Sequence, residues 1–163
     1  MLVNGNFDMA PFETAGAISG WVVGGLGYIS ERQEGATTGS YGAVFGDGGD
    51  FQGDTLSQSF ATVVGQTYTL DFDAGIAGVR SASPLQLRVQ VIGSATLLDQ
   101  TITPPEAGSF DPSLTAFQHY QFTFTANSTT TTLQFTDVGT GNAYADQIVD
   151  TVSIAPTSSP TPP

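Results

Sequence analysis

The side chains with the most chemistry to offer lie on two alternating segments. Thr67-Tyr68-Thr69-Leu70-Asp71-Phe72-Asp73 and Leu85-Gln86-Leu87-Arg88-Val89-Gln90-Val91 each switch between apolar and polar residues at every step. Alternate side chains of an extended strand share a face, so Asp71 and Asp73 project together, about 6.5–7 Å apart by strand rise. Gln86, Arg88 and Gln90 project together in the same way. Carboxylates and guanidinium groups can take two sugar hydroxyls at once, and an aromatic ring can cover a sugar's C–H face. Two readings follow: Asp71, Asp73, Arg88 and Gln90 line one groove on adjacent strands, or they form a soluble outer face with a cross-strand ion pair. Tyr28 and Tyr41 are candidate rings. Trp21, the single tryptophan, reads either as a sugar platform or as a core residue.

Catalysis is poorly served. Glycoside hydrolysis needs two opposed carboxylates, and the Asp71–Asp73 spacing is only compatible with such a pair. His119 is the single histidine, and beside a Phe-rich segment it reads as an exposed strand residue rather than a general base. There is no G-x-S-x-G elbow, no H-E-x-x-H pair and no Gly-rich phosphate loop. Cysteine is absent, which removes disulfides, thiolate zinc sites and a cysteine nucleophile. The expectation is a protein that is not an enzyme.

Charge narrows the partners. Three arginines and no lysine stand against fifteen acids, for a formal net charge of −12. Nucleic acid and anionic membranes need clustered basic residues, so both are excluded as partners. No apolar run approaches the roughly 20 residues of a membrane helix, so no membrane insertion is expected. Charged residues make up 11% of the chain, and a surface of Thr, Ser, Gln and Gly suits a secreted or cell-surface protein. The chain opens at Met1-Leu2-Val3, and it is expected to follow a removed signal segment.

The elements that must carry these residues are strands. Besides 67–73 and 85–91, alternation marks 120–125 and 133–136, with further candidates at 2–7, 20–24, 27–31, 41–46, 56–62, 96–102 and 148–154. Gly24-Gly25, Gly65-Gln66, Ser83-Pro84, Pro104-Pro105 and Gly139-Thr140-Gly141 punctuate them. No long stretch has helical period and caps. The predicted fold is all-β, an antiparallel sandwich spanning residues 1–155, with Tyr68, Leu70, Phe72, Leu87, Val89, Phe122, Phe124, Leu133 and Phe135 facing the core. Residues 156–163, Pro-Thr-Ser-Ser-Pro-Thr-Pro-Pro, read as a linker toward further domains. Asp47, Asp50 and Asp54 in GDGGDFQGD lack EF-hand ligand spacing and read as a loop.

LVNGNFD (2–8), SGW (19–21), GSYGAVFG (39–46), LSQSFATVVGQTYTLDFDAG (56–75), YQFTFTANSTTTTLQFTDVG (120–139) and VDTVSIAP (149–156) together resemble bacterial anchored surface domains and plant cell-wall domains that open with LVNGxFE. These are similar to carbohydrate-binding modules with a galactose-binding-like jelly roll. The resemblance covers residues 2–156. It implies a polysaccharide or glycan partner and a structural calcium ion held by Asp8, a main-chain oxygen at Gly39, and Asp150. Two positions depart from the pattern: Asp8 replaces Glu and Thr151 replaces Asn. The expected function is an extracellular binding module for a polysaccharide or surface glycan. The alternative is an adhesive surface protein that self-assembles.

Overall fold

Alternation of apolar and polar residues builds the two layers. A computed structural model describes residues 1–33, 36–37, 39–46, 52–78, 85–106, 116–139 and 145–157. Its ten strands are β1 (Val22–Gly24), β2 (Ile29–Arg32), β3 (Gly42–Phe45), β4 (Thr55–Ala61), β5 (Thr67–Gly78), β6 (Leu87–Ile92), β7 (Thr96–Ile102), β8 (Ala116–Thr125), β9 (Thr130–Asp137) and β10 (Ala145–Pro156). They form two antiparallel sheets, ordered β1-β4-β9-β6-β7 and β2-β3-β10-β5-β8. This is the jelly-roll sandwich that the sequence predicts.

Leu70, Phe72, Leu87, Val89, Leu133 and Phe135 are fully buried between the sheets, with Tyr68 and Phe124 at the margin. Phe122 is partly buried and packs on the same cluster. Phe72 meets Phe135 of the opposite sheet edge-on, ring centres 5.1 Å apart, a geometry that aromatic quadrupoles favour.

One expected strand is absent. Residues 2–7 form turns, because Asn4 and Phe7 adopt left-handed backbone (φ 52° and 55°) that no strand continues through. The segment still docks: Phe7 is fully buried, and Gly5 O accepts Val152 N at 2.8 Å. A β-carbon at Gly5 would collide with the Val152 carbonyl, so only glycine permits this approach. Docking falls where β10 is interrupted, since its pairing with β5 shifts between Asp150 and Ser153 around Thr151 at φ 53°.

β10 continues through Pro156, and Thr157 N donates to Thr67 O at 2.9 Å. Residues 158–163 lie outside the described residues.

A candidate glycan-binding face

Asp71 and Asp73 are placed on the outer face of β5 by the strand that buries Leu70, Phe72 and Ala74. Antiparallel register sets Gln121 opposite Asp71, His119 opposite Asp73 and Phe117 opposite Gly75 on β8. On the other side, β10 sets Ser153 opposite Asp71 and Asp150 opposite Asp73. His119 therefore bridges the two carboxylates, Nδ1 at 2.9 Å from Asp73 Oδ1 and Nε2 at 3.0 Å from Asp71 Oδ1. Gln121 Nε2 donates to Asp71 Oδ1 at 2.9 Å. Thr151 and Thr37 hydroxyls donate to Asp73 Oδ2 at 2.7 and 3.1 Å. Gly75 has no side chain to obstruct Phe117, whose Cδ1 lies 3.1 Å from where a β-carbon would stand. The outcome is a fixed polar row beside a half-buried ring.

Charge and hydrogen bonding agree on the state of this row. Hydrogen bonds donated by the ring to Asp73 and Asp71, then the charges of those acids, raise the His119 imidazole above its usual range despite slight desolvation. Burial pushes Asp73 upward, but hydrogen bonds from Thr151, His119 and Thr37 outweigh it and leave the carboxyl below its ordinary value. A histidine with a raised folded pKa contributes stability that is complete below its unfolded value near 6.5 and lost as pH rises through the folded value. His119→Gln should therefore lower the melting temperature at pH 6 and leave it nearly unchanged at pH 9. The imidazole is largely exposed, so solvent screening keeps the expected difference to about 1–3 °C. Equal losses at both pH values would show that the clamp carries no charge.

The other expected binding residues are elsewhere. Arg88 and Gln90 lie on β6 of the other sheet, so they share no groove with Asp71 and Asp73. Arg88 instead forms a two-pronged pair with Asp99 on β7, Nε to Oδ1 at 2.8 Å and Nη2 to Oδ2 at 2.5 Å. Gln90 Nε2 joins the same carboxylate at 3.3 Å. Trp21 is a core residue: its ring lies 5.5 Å from Phe7 and 6.4 Å from Phe135, and Nε1 donates to Asn4 O at 3.0 Å. Tyr28 precedes β2, which is at the opposite edge of the second sheet from β8, about 19 Å away over four strand spacings. Tyr41 stacks on Phe12 with ring centres 4.1 Å apart.

The acids expected to hold calcium, Asp8 and Asp150, both bond to the segment around residues 37–41. Asp8 Oδ1 accepts Ser40 N and Tyr41 N at 2.9 and 3.0 Å. Gly39 adjoins it so closely, at φ 66°, that a β-carbon would strike the carboxylate. Asp150 is fully buried, and its Oδ2 takes Thr37 N at 2.7 Å and the Thr37 hydroxyl at 2.9 Å. Its Oδ1 takes Thr151 N at 2.7 Å, so Asp150 braces the residue-37 segment and the bulge. Glu31 is the acid that sequence reading missed. It is fully buried; Asn4 Nδ2 donates to Oε1 at 2.6 Å, and Oε2 has no donor among the described residues. Burial pushes its carboxyl up to about 7, against the Asn4 hydrogen bond and with the Asp8 charge adding to the rise. Among the described residues, no three His, Cys, Asp or Glu side chains converge as a ready-made metal cluster.

The fold is a jelly-roll sandwich of the kind seen in solved carbohydrate-binding modules. The chain is similar to a CBM4 structure at 20% identity and TM-score 0.62, covering 96% of this chain and all of that one. It is similar to TmCBM61, solved in complex with β-1,4-galactotriose, at 15% identity and TM-score 0.65, covering 94% and 96%. The CBM22-1 xylan-binding domain from Paenibacillus barcinonensis matches at 14% identity and TM-score 0.56, covering 89% and 90%. No protein-family model matches, and neither does any curated protein sequence.

Proposed function

We propose that the protein is a non-catalytic extracellular module that holds a neutral polysaccharide on the outer face of β5 and β8. The observation that carries this reading is the row Gln121–Asp71–His119–Asp73, fixed by its own hydrogen bonds beside the Phe117 ring. Fixed carboxylate and amide oxygens can accept sugar hydroxyls without losing side-chain entropy on binding. The similar modules with galactotriose-bound and xylan-binding descriptions support a glycan as the ligand class. The net charge of −12 makes an uncharged polymer the better partner, because a polyanion would be repelled. Catalysis is disfavoured by the same geometry. A glycosidase acid needs a carboxyl held protonated near neutral pH, whereas Asp73 is held below its ordinary value. Attachment to a further domain would convert a weak site into useful avidity.

A calcium ion fits the N-terminal end in part. Asp8 and Glu31 supply hard oxygen ligands, the free Glu31 Oε2 is an orphaned acceptor, and Gly39 is the adjoining main-chain candidate. Such an ion would neutralise two neighbouring acids and tie residues 4–8 to the 39–41 segment.

The test is affinity electrophoresis against neutral xylans, galactans and β-glucans. Retention should correspond to a dissociation constant of about 10⁻³ to 10⁻⁵ M for a single shallow site. Asp71→Ala and Phe117→Ala should each weaken it about tenfold or more, since each removes a central contact. Arg88→Ala should leave it unchanged. Loss in the Arg88 variant with retention in the other two would move the site to the first sheet.

A further inference from the structure

At the end of the sandwich where β4 begins and β9 ends, two acids face each other. Thr55 pairs with Thr136, and one step further Asp137 N donates to Asp54 O at 3.0 Å. Both side chains share the inward parity of Leu56 and Phe135, and both residues are buried. Asp54 lies in the loop just before β4, as the sequence suggested, and its side chain is buried; Asp47 and Asp50 lie outside the described residues. The Asp54 carboxylate accepts Leu26 N and Gly27 N on Oδ1 at 2.6 and 3.2 Å, and Tyr28 N on Oδ2 at 3.0 Å. Asp137 Oδ1 accepts Gly139 N at 3.1 Å and Gln147 Nε2 at 2.7 Å.

Gln147 reaches this point from β10 on the other sheet and is 1% exposed. Its Nε2 also donates to Gln86 O at 2.8 Å. These two acceptors fix the amide, because exchanging its oxygen and nitrogen would set oxygen against oxygen twice. Oε1 is therefore left in the interior beside Asp137 with no donor among the described residues. Among the described residues, no basic side chain bonds to either carboxylate. Like charges directly opposite in an antiparallel pair destabilise it, and a buried charge needs a partner. Burial pushes the Asp137 carboxyl up to about 6 in spite of the Gly139 hydrogen bond, and the neighbouring Asp54 charge adds to that rise against the bond from Gln147.

We propose that Asp137 and Gln147, backed by Asp54, form a buried site for a hard divalent cation of the calcium type, separate from the Asp8–Glu31 end. The donors are carboxylate and amide oxygens only, the set that suits calcium and not zinc. Calcium takes six to eight oxygens, so main-chain carbonyls or water must complete the shell. A cation there would offset both charges and supply the partner that Gln147 Oε1 lacks. It would also tie the first sheet to the second at one end.

The full chain, stripped with a chelator at pH 7.5, is titrated with calcium chloride by calorimetry. Asp137→Asn should lose one bound equivalent that Asp8→Asn retains. Gln147→Glu should bind calcium about tenfold more tightly or better, since it places a third carboxylate at the site. Three outcomes overturn the proposal. Wild type and Asp137→Asn bind the same number of ions; or the sole equivalent is lost with Asp8→Asn; or Asp137→Asn raises the calcium-free melting temperature without altering the calcium increment, which assigns the pair a shared proton instead. If Asp137→Asn fails to fold, Gln147→Glu decides: unchanged calcium affinity ends the proposal.

Discussion

Trp21→Ala is expected to cost about 3–5 kcal/mol of stability and to reduce glycan retention only in proportion to the unfolded fraction. The indole fills the space between Phe7 and Phe135, so truncation opens a cavity that the sheets cannot close without moving. Its Nε1 also satisfies Asn4 O, the carbonyl at the turn that docks the N-terminal segment. Removing the donor leaves that carbonyl only the longer bond from Phe7 N, at 3.3 Å, which adds to the cavity cost. In a domain of this size the loss should appear as a fall of about 6–20 °C in melting temperature. Trp21→Phe keeps most of the ring but not the N–H, and should cost about 1–2 kcal/mol. Thermal melts paired with retention measured per folded molecule check both. An Ala variant that melts with the wild type but no longer binds would return Trp21 to the ligand.

The core was legible because burial on one face forces a period of two. Phe72, Leu87, Val89 and Phe135 could not be exposed without turning their whole strands over. Which strands become neighbours was not legible. β5 and β6 are consecutive in the chain yet belong to different sheets, so Asp71 and Arg88 face away from each other. His119 meets Asp73 across 46 residues of sequence, a pairing that register alone creates. Asn4 and Phe7 defeated the strand expected at 2–7 because alternation says nothing about left-handed backbone. Thr151 has φ 53°, a region that asparagine tolerates better than a β-branched residue, and alternation gives no sign of it. Glu31 was hidden because Ile29-Ser30-Glu31-Arg32 carries polar residues at both parities. The one signal was a charge at the same parity as Ile29, on the side facing the core.

Glu31→Gln should raise the melting temperature of the calcium-free protein at pH 8 by about 5–10 °C and remove much of the gain that calcium gives the wild type. An acid whose folded pKa stands above its unfolded value binds its proton more tightly when folded, so stability falls as pH rises between the two. For Glu31 that window runs from about 4.5 to about 7. The displacement corresponds to at most about 3 kcal/mol, less whatever water screens. At pH 8 the wild type carries this burden in full; at pH 4 it carries almost none, and the two proteins should converge there. Glutamine retains an Oε1 to accept Asn4 Nδ2, so the turn at residues 4–7 survives the change. Its amide also replaces the unpartnered Oε2 with a donor beside Asp8, converting a repulsive neighbour into an acceptor. Calcium acts on the same defect by a different route, stabilising the native state by mass action as its concentration exceeds the dissociation constant. The variant should therefore gain less from calcium than the wild type does, because the charge that the ion would neutralise is already gone. Melts of both proteins at pH 4 and pH 8, with chelator and with calcium, give the comparison. Curves that coincide in all four conditions would mean that Asn4 alone satisfies Glu31 and that no cation belongs between it and Asp8.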